Sequence, residues 1–354
     1  MRRDRRGLAR GISAATLTAM MTTHQIEPLL PLPFPLEPRD DSAPKLCVVI
    51  PVYNEEQVLP RTYDELKAAL DGLRLDWSLL FVNDGSRDGT AAILESLFRR
   101  DRRVSYLLLS RNFGHQAALT AGLDHANADV IISMDGDLQH PPSLIAELVA
   151  AWRQGYDIVH TRKLQTLGLS RRRSVTTDIA YRFIGRVAQV SIIPNASDYR
   201  LLDREALDAI RSLPESGRLY RGLTPWIGFR QCVIPYAAAE RAAGTSQYGW
   251  KQLLNLFARA LFDFSSLPLH LGLALGGGAI ALSALYFLFI VGWHLLGKEA
   301  PPGWASSISV TLMLNSVTLA FAGIIGVYVA RIYNEVRARP AYMLSRIRRH
   351  TDAV

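Results

Sequence analysis

Short runs of Val, Ile and Leu alternate, over residues 45–162, with longer stretches in which apolar residues recur every three or four positions. The runs Leu46–Pro51, Ser78–Asn83, Val104–Ser110, Val130–Asp135 and Ile158–Thr161 predict strands. Between them, Glu55–Leu73, Thr90–Arg100, His115–Ala126 and Ser143–Gln154 predict helices. Strands alternating with helices are the pattern of βαβ units on a parallel sheet. An open sheet of this kind gathers its ligands beyond the C-terminal ends of its strands, where this chain carries its polar motifs. After Arg162 the pattern loosens into the basic run Arg171, Arg172 and Arg173 and a helical stretch to about Ser191; a further α/β portion reaches about Tyr236.

The last third changes character. Leu271 to Gly297 and Ala300 to Ala330 contain no Asp, Glu, Lys or Arg, and each is long enough to span about 30 Å of hydrocarbon. Two transmembrane helices are expected, over 269–297 and 306–330. Trp250 to Phe264 repeats apolar residues at helical spacing with Lys251 and Arg259 interleaved, which predicts an amphipathic juxtamembrane helix over 249–268 or, equally in kind, a core helix. Residues 1–44 are basic, then Pro-rich, without either period, and predict a flexible tail. Residues 45–248 form the expected soluble domain and 331–354 a basic tail.

Composition then settles placement. The net charge of +8 and pI near 9.6 suit nucleic acid or an anionic membrane. The arginines cluster at Arg2, Arg3, Arg5, Arg6 and Arg10 and again at Arg331, Arg337, Arg339, Arg346, Arg348 and Arg349, flanking the apolar stretches. The link between the spans holds only Lys298 and Glu299, so both termini and the soluble domain are expected in the cytosol. No aromatic and basic residues interleave as a nucleic-acid face requires, which excludes that partner class. The two cysteines, Cys47 and Cys232, lie in apolar runs that read as strands, which argues against a disulfide framework.

Three motifs close predicted strands. Pro51-Val52-Tyr53-Asn54-Glu55-Glu56 follows the first; taken alone, Asn54 is equally a helix cap and Tyr53 a packed aromatic. Asn83-Asp84-Gly85-Ser86-Arg87-Asp88-Gly89-Thr90 follows the second: Asp84 could accept from a base N–H and Gly85 admit a ligand to the backbone, or the segment is a turn with Asp88 as cap. Asp135-Gly136-Asp137-Leu138-Gln139 ends the fourth strand. Two carboxylates one residue apart repel unless a cation lies between them. Magnesium or manganese takes such oxygens and is completed by substrate phosphates, although Asp-x-Asp also arises by chance.

In this order, the motifs resemble the family 2 glycosyltransferases, and within them the dolichol-phosphate mannose synthase and GtrB-like group, from about Lys45 to Leu271; the two spans followed by Arg331-Ile332-Tyr333-Asn334-Glu335-Val336 are similar to the GtrB-type C-terminus. The resemblance implies an α/β GT-A fold with a Rossmann-like, mostly parallel sheet. It implies that Pro51, Tyr53, Glu55 and Asp84 hold the nucleoside, and that Asp135, Gly136, Asp137 and Gln139 hold Mn²⁺ or Mg²⁺ and the diphosphate. Arg162 matches an arginine near the donor. Asp198-Tyr199-Arg200-Leu201 is similar to the family's Asp-Phe-Arg-Leu segment, which adds Asp198 and Arg200 to Asp137 as catalytic candidates; the alternative is a local ion pair with Arg204 or Glu205. Glu240 to Tyr248 resembles a loop that embraces the diphosphate through an Arg and a Lys. Arg241 matches; Gln247 stands in place of the Lys, which leaves Lys251 to supply the second charge.

The implied reaction moves one sugar from a UDP- or GDP-sugar, with inversion, to a polyprenyl phosphate at a bacterial inner membrane. The acceptor phosphate is already largely anionic at cytosolic pH, so the enzyme need only position it and stabilise the leaving diphosphate. A processive synthase is the alternative within the fold, but its Gln-x-x-Arg-Trp segment is absent from the sequence. A catalytically silent adaptor or flippase partner would not need the intact carboxylate pair. Gly272, Gly276, Gly277 and Gly278 in the first span are compatible with close helix packing and self-association.

Overall fold

The computed structural model describes residues 26–29, 36–39, 44–73, 75–164, 193, 196–215, 218–237, 267–296 and 303–350. Four strands form the parallel centre: β2 (Lys45–Val52), β3 (Asp76–Asn83), β4 (Val104–Leu109) and β5 (Val130–Ser133). Every residue of β2 after Lys45 is buried, as expected of a strand covered on both faces. Its side chains alternate: Leu46, Val48, Ile50 and Val52 enter one core, Cys47 and Val49 the other.

The first core is closed by α1 (Leu59–Asp71), α2 (Thr90–Arg100) and α4 (Ile145–Arg153). The second is closed by α3 (His115–His125), α5 (Arg204–Arg211) and α6 (Tyr220–Trp226). Helix α3 lies so near the sheet that a Cβ on Gly122 would come within 2.2 Å of Val49 Cγ1. Close seating of α3 fixes its N-terminus, which enters the site described below.

Further strands are β1 (Glu27–Pro28), β6 (Ile158–Lys163), β7 (Ala196–Asp203), β8 (Gln231–Tyr236) and β9 (Leu344–Arg348). The nine-stranded order is β1-β8-β6-β7-β5-β2-β3-β4-β9. The sheet is mixed, not mostly parallel. Strand β7 runs back between β5 and β6, antiparallel to both, and the edge strands β1 and β9 are antiparallel to β8 and β4. The chain steps outward from β2 through β3 to β4 and then returns to place β5 on the other side of β2. This reversal opens a crevice between the ends of β2 and β5, the place where such sheets bind ligands.

The described segments of both expected tails, 26–29, 36–39 and 331–350, are placed in the structure, several of them bonded to the domain. Glu27 and Pro28 pair with Val233 and Cys232. Arg39 binds Asp157 at 2.6 Å and the carbonyls of Trp152 and Tyr156 at 2.7 Å, over the Trp152 ring. At the other end, β9 extends the sheet beyond β4, and the His350 ring stacks on Phe98 at 3.9 Å. Cys47 and Cys232 are buried and free, in strands β2 and β8.

The apolar third forms α7 (Leu267–Leu295) and α8 (Trp304–Val336). They meet where Gly272 faces the Phe321 ring. Among the described residues, Met313–Val336 is long and apolar enough to cross a membrane, while α7 carries the shorter apolar stretch Ala274–Phe289. Helices thus occupy both stretches expected to span, and one of them carries an apolar run of spanning length. Arg171 to Arg173, Arg241, Gln247, Lys251 and all but the last two residues of the expected helix 249–268 lie outside the described residues.

Candidate active site

The loops after β2 and β3 are clipped to each other by their own polar side chains. Asn54 donates its N–H to Ser86 Oγ and accepts from the Arg87 N–H, both at 2.9 Å. The Glu55 N–H reaches Thr90 Oγ1 at 2.9 Å, and Glu56 exchanges bonds with Asp88 and the Gly89 N–H. Asp88 also accepts from the Thr90 N–H and hydroxyl, which ties the turn into α2, while the cap position itself is Gly89 and not Asp88. Asp84 is buried and accepts from the N–H groups of Phe113 and Gly114 at 2.7 and 2.9 Å. It therefore braces the β4–α3 loop as well as lining the cleft. Gly85 has a similar internal reason: at φ +68° a Cβ would meet Arg111 C at 2.5 Å. The close approach is to the protein's own backbone.

A cleft of about 290 Å³ opens at the β2/β5 crevice, lined by Pro51, Tyr53, Glu55, Asp84, His115, Asp135, Gly136 and Asp137 among others. All the residues expected at the nucleoside therefore line one cleft with Asp135, Gly136 and Asp137, whereas Gln139 and Arg162 are not among its lining residues. Tyr53 stands at the surface, 42% exposed, free of core packing. Burial and the negative charges of Asp137, Asp88 and Asp135 raise the pKa of Glu55. Excess negative charge is concentrated on this side.

Asp135 and Asp137 leave β5 on a tight loop. Asp135 Oδ1 is buried and makes no hydrogen bond, His115 Nε2 standing off it at 3.4 Å, and the Gln139 side-chain nitrogen is buried without an acceptor. An orphaned buried carboxylate oxygen beside a second carboxylate fits a hard divalent cation. Among the described residues no three His, Cys, Asp or Glu side chains are grouped to hold an ion by themselves. An ion here would need oxygens from a ligand, as a substrate diphosphate offers.

Opposite stands Asp198, buried and ringed by donors. Arg200 reaches Asp198 Oδ1 at 2.8 Å, and Arg221 grips both oxygens at 3.1 and 2.9 Å. Gln116 Nε2 donates at 3.2 Å, and His115 Nε2 lies 3.6 Å from Asp198 and 3.4 Å from Asp135. Burial alone would raise the Asp198 pKa; His115, Arg200 and Arg221 overcome it and hold the carboxylate well below the usual range. Burial opposes the charged His115 ring, but Asp198 and Asp135 raise its pKa on balance. The open alternative of a pair with Arg204 or Glu205 is not what forms: Arg204 faces Asn127 and Asp129, and the Glu205 N–H bonds Asp203.

Arg200 is fully buried, extended behind Asp198 to Thr224 Oγ1 and the Ser197 carbonyl. It supports Asp198 from the core side, while Arg221, with a side chain 48% exposed, supports it from the solvent side. Arg162 sits at the same end of the sheet on β6 and pairs with Glu27 of β1 at 3.0 Å. Sequence reasoning did not single out His115, Gln116, Arg221 or His140 as site residues. His115 and Gln116 open a helix directly after a strand-end loop, the position that selected Asp84; Arg221 carried no comparable signal.

Residues 47–211 match the profile of glycosyl transferase family 2. The chain is 38% identical over 301 residues to an uncharacterized glycosyltransferase of Synechocystis sp., covering 85% of this chain and 95% of that one. It is 34% identical over 306 residues to the SfII prophage-derived bactoprenol glucosyl transferase of Shigella flexneri, covering 86% and 99%. Among solved structures it is similar to a mannosyltransferase of Pyrobaculum calidifontis in complex with GDP-Man and Mn²⁺, at 17% identity and a TM-score of 0.41 over 88% of this chain and 90% of that one. Identity of this order along nearly the whole of its relatives places the chain in glycosyl transferase family 2 as a glycosyltransferase, in the group that includes the bactoprenol glucosyl transferases.

Proposed function

We propose that the protein transfers a single hexose-type sugar from a UDP- or GDP-sugar to a polyprenyl phosphate, with inversion, at the cytosolic face of a bacterial inner membrane. The observation that carries this reading is the cleft itself: the paired carboxylates Asp135 and Asp137 line it together with Tyr53 and Asp84 at the strand ends, and the cation-ringed Asp198 lies behind His115, which reaches toward both Asp135 and Asp198. The near-full-length likeness to a bactoprenol glucosyl transferase supports a lipid phosphate acceptor. Helices α7 and α8, with arginines at the end of α8, support membrane anchoring with the catalytic domain cytosolic.

In this reading Asp135 and Asp137, with Gln139, hold Mn²⁺ or Mg²⁺. When bound, such an ion supplies charge neutralisation for the departing diphosphate. Tyr53, Glu55 and Asp84 orient the nucleoside, and Arg162 and Arg241 add positive charge near the diphosphate. Asp198 is held ionised by its guanidinium partners and orients sugar or acceptor; an anionic phosphate acceptor requires no strong base. Positioning and electrostatic stabilisation carry the rate.

The test is transfer of radiolabelled sugar to butanol-extractable lipid, using purified protein, undecaprenyl phosphate, Mn²⁺ and a panel of UDP- and GDP-sugars. Label in lipid with one donor, abolished by chelation and reduced at least about 100-fold in Asp137→Ala, is the expected result. Label in a polymer, or none with any donor from folded protein, rejects single transfer to lipid.

A further inference from the structure

The loop carrying Asp135 and Asp137 has an unfavourable backbone. Leu138 adopts φ 59°, in the left-handed region that a leucine ordinarily avoids. Such a turn persists only when its neighbours over-determine it. One tie is the Gly136 carbonyl, which accepts from the buried Thr62 hydroxyl at 2.9 Å. A second is the bond from the Gln139 N–H to Asp137 Oδ1 at 3.1 Å.

The third tie is His140, a buried side chain absorbed by none of the roles above. Its Nδ1 faces the Asp135 N–H at 3.0 Å. A backbone N–H can only donate, so Nδ1 is the acceptor and the ring hydrogen resides on Nε2. Nε2 lies 2.6 Å from Ser197 Oγ, to which it donates. The ring is stacked on Tyr199 at 5.0 Å and 20° and meets Tyr236 edge-on at 6.1 Å. Ser197 and Tyr199 flank Asp198 on β7. One locked imidazole thus joins the backbone of the first loop carboxylate to the strand that carries the opposing carboxylate.

We propose that His140 is a positioning residue that presets the Asp135–Asp137 loop for a divalent cation and sets its spacing from Asp198, without touching substrate. The inference rests on the metal-binding reading of that loop. Groups that orient a ligating carboxylate are worth about 10–100-fold in metal affinity, and the same range applies to loss of this tie.

Three variants separate its two bonds. His140→Phe keeps a ring to stack on Tyr199 and removes both polar contacts. His140→Asn places an amide oxygen near the position of Nδ1 and restores an acceptor for the Asp135 N–H. His140→Gln reaches toward Ser197 instead. Mn²⁺ binding to the full-length protein in detergent, with UDP or GDP present, is read from the electron paramagnetic resonance signal of free Mn²⁺, beside thermal unfolding. The expected result is a 10–100-fold weaker Mn²⁺ affinity in His140→Phe, with most of it recovered in His140→Asn and little in His140→Gln. Unchanged Mn²⁺ affinity in His140→Phe, or recovery by Gln and not Asn, overturns the proposal. If His140→Phe does not fold, the order of Asn and Gln decides alone. Absence of Mn²⁺ binding by the unmodified protein with either nucleotide overturns the metal reading together with this inference, whereas intact binding in His140→Phe overturns only this inference.

Discussion

Arg200 and Arg221 make similar contacts to one carboxylate and differ in everything behind them. Arg200 has no solvent to return to: its guanidinium ends on Thr224 and the Ser197 carbonyl inside the domain. Removing it leaves Asp198 partly unpaired in a buried setting, which costs about 3–5 kcal/mol. Arg221 is half exposed and its removal leaves Asp198 still bonded to Arg200 and Gln116, so Arg221→Ala costs less stability than Arg200→Ala. Its loss frees the Asp198 carboxylate to turn, and we expect initial rates of sugar transfer to fall at least about tenfold. Melting curves and rates on Arg200→Ala and Arg221→Ala separate the two; equal destabilisation by both would remove the distinction. The same pair shows what a linear reading can reach. Asp135, Asp137 and Asp84 were legible because each lies in a short motif at a strand end; Asp198, inside β7, was legible only through the resemblance of its segment to the family's. Arg221 is 23 residues from its partner and Gln116 is 82. Nothing in local spacing reports contacts made by folding across such distances.

Elements were legible where periodicity was long and failed where it was short. The expected strands and helices between residues 45 and 162 reappear with ends shifted by a few residues, because apolar alternation and helical spacing both reflect burial on a two-sided sheet. Strands β1 and β9 were invisible. One is two residues long, and the other, Leu-Ser-Arg-Ile-Arg, is an edge strand with largely exposed side chains that reads as tail. Strand β9 is nonetheless tied down: its residues pair with β4, the Ser110 N–H bonds the Met343 carbonyl at 2.9 Å, and Arg349 caps the His125 carbonyl at 2.6 Å. Truncation after Arg339 is therefore expected to destabilise the domain by about 2–4 kcal/mol, while the same cut would be neutral for an unattached tail. Unfolding midpoints of full-length and truncated protein, compared in one detergent, measure the difference; equal midpoints would return this segment to the status of a tail.

At the scale of the molecule, acid stability follows from carboxylates held by arginines toward opposite edges of the sheet. Asp101 receives bonds from the Arg103 backbone and guanidinium at 2.9–3.0 Å and from the Tyr63 hydroxyl at 2.9 Å. Burial pushes its pKa up, Arg103 and Tyr63 pull it further down, and the balance is a value of about 2 against 3.8 for the free side chain. Asp157 is lowered as well, where burial is outweighed by Arg230 and Arg39. Because the folded values are depressed, the unfolded chain binds protons first as the pH falls. The stabilisation is fully present above the unfolded value and is lost as the pH drops through the folded one. For Asp101 this amounts to about 2 kcal/mol, disappearing between about pH 5 and pH 2. Melting temperatures should be flat from pH 8 to pH 5 and fall by about 4–8 °C on approach to pH 3. Asp101→Asn removes its share of the gain at neutral pH and with it part of the slope, so its curve should start lower and descend less. An acid slope unchanged from the unmodified protein in both Asp101→Asn and Asp157→Asn would place the pH dependence elsewhere, in Asp198, whose carboxylate is likewise held below the usual range by its cationic partners.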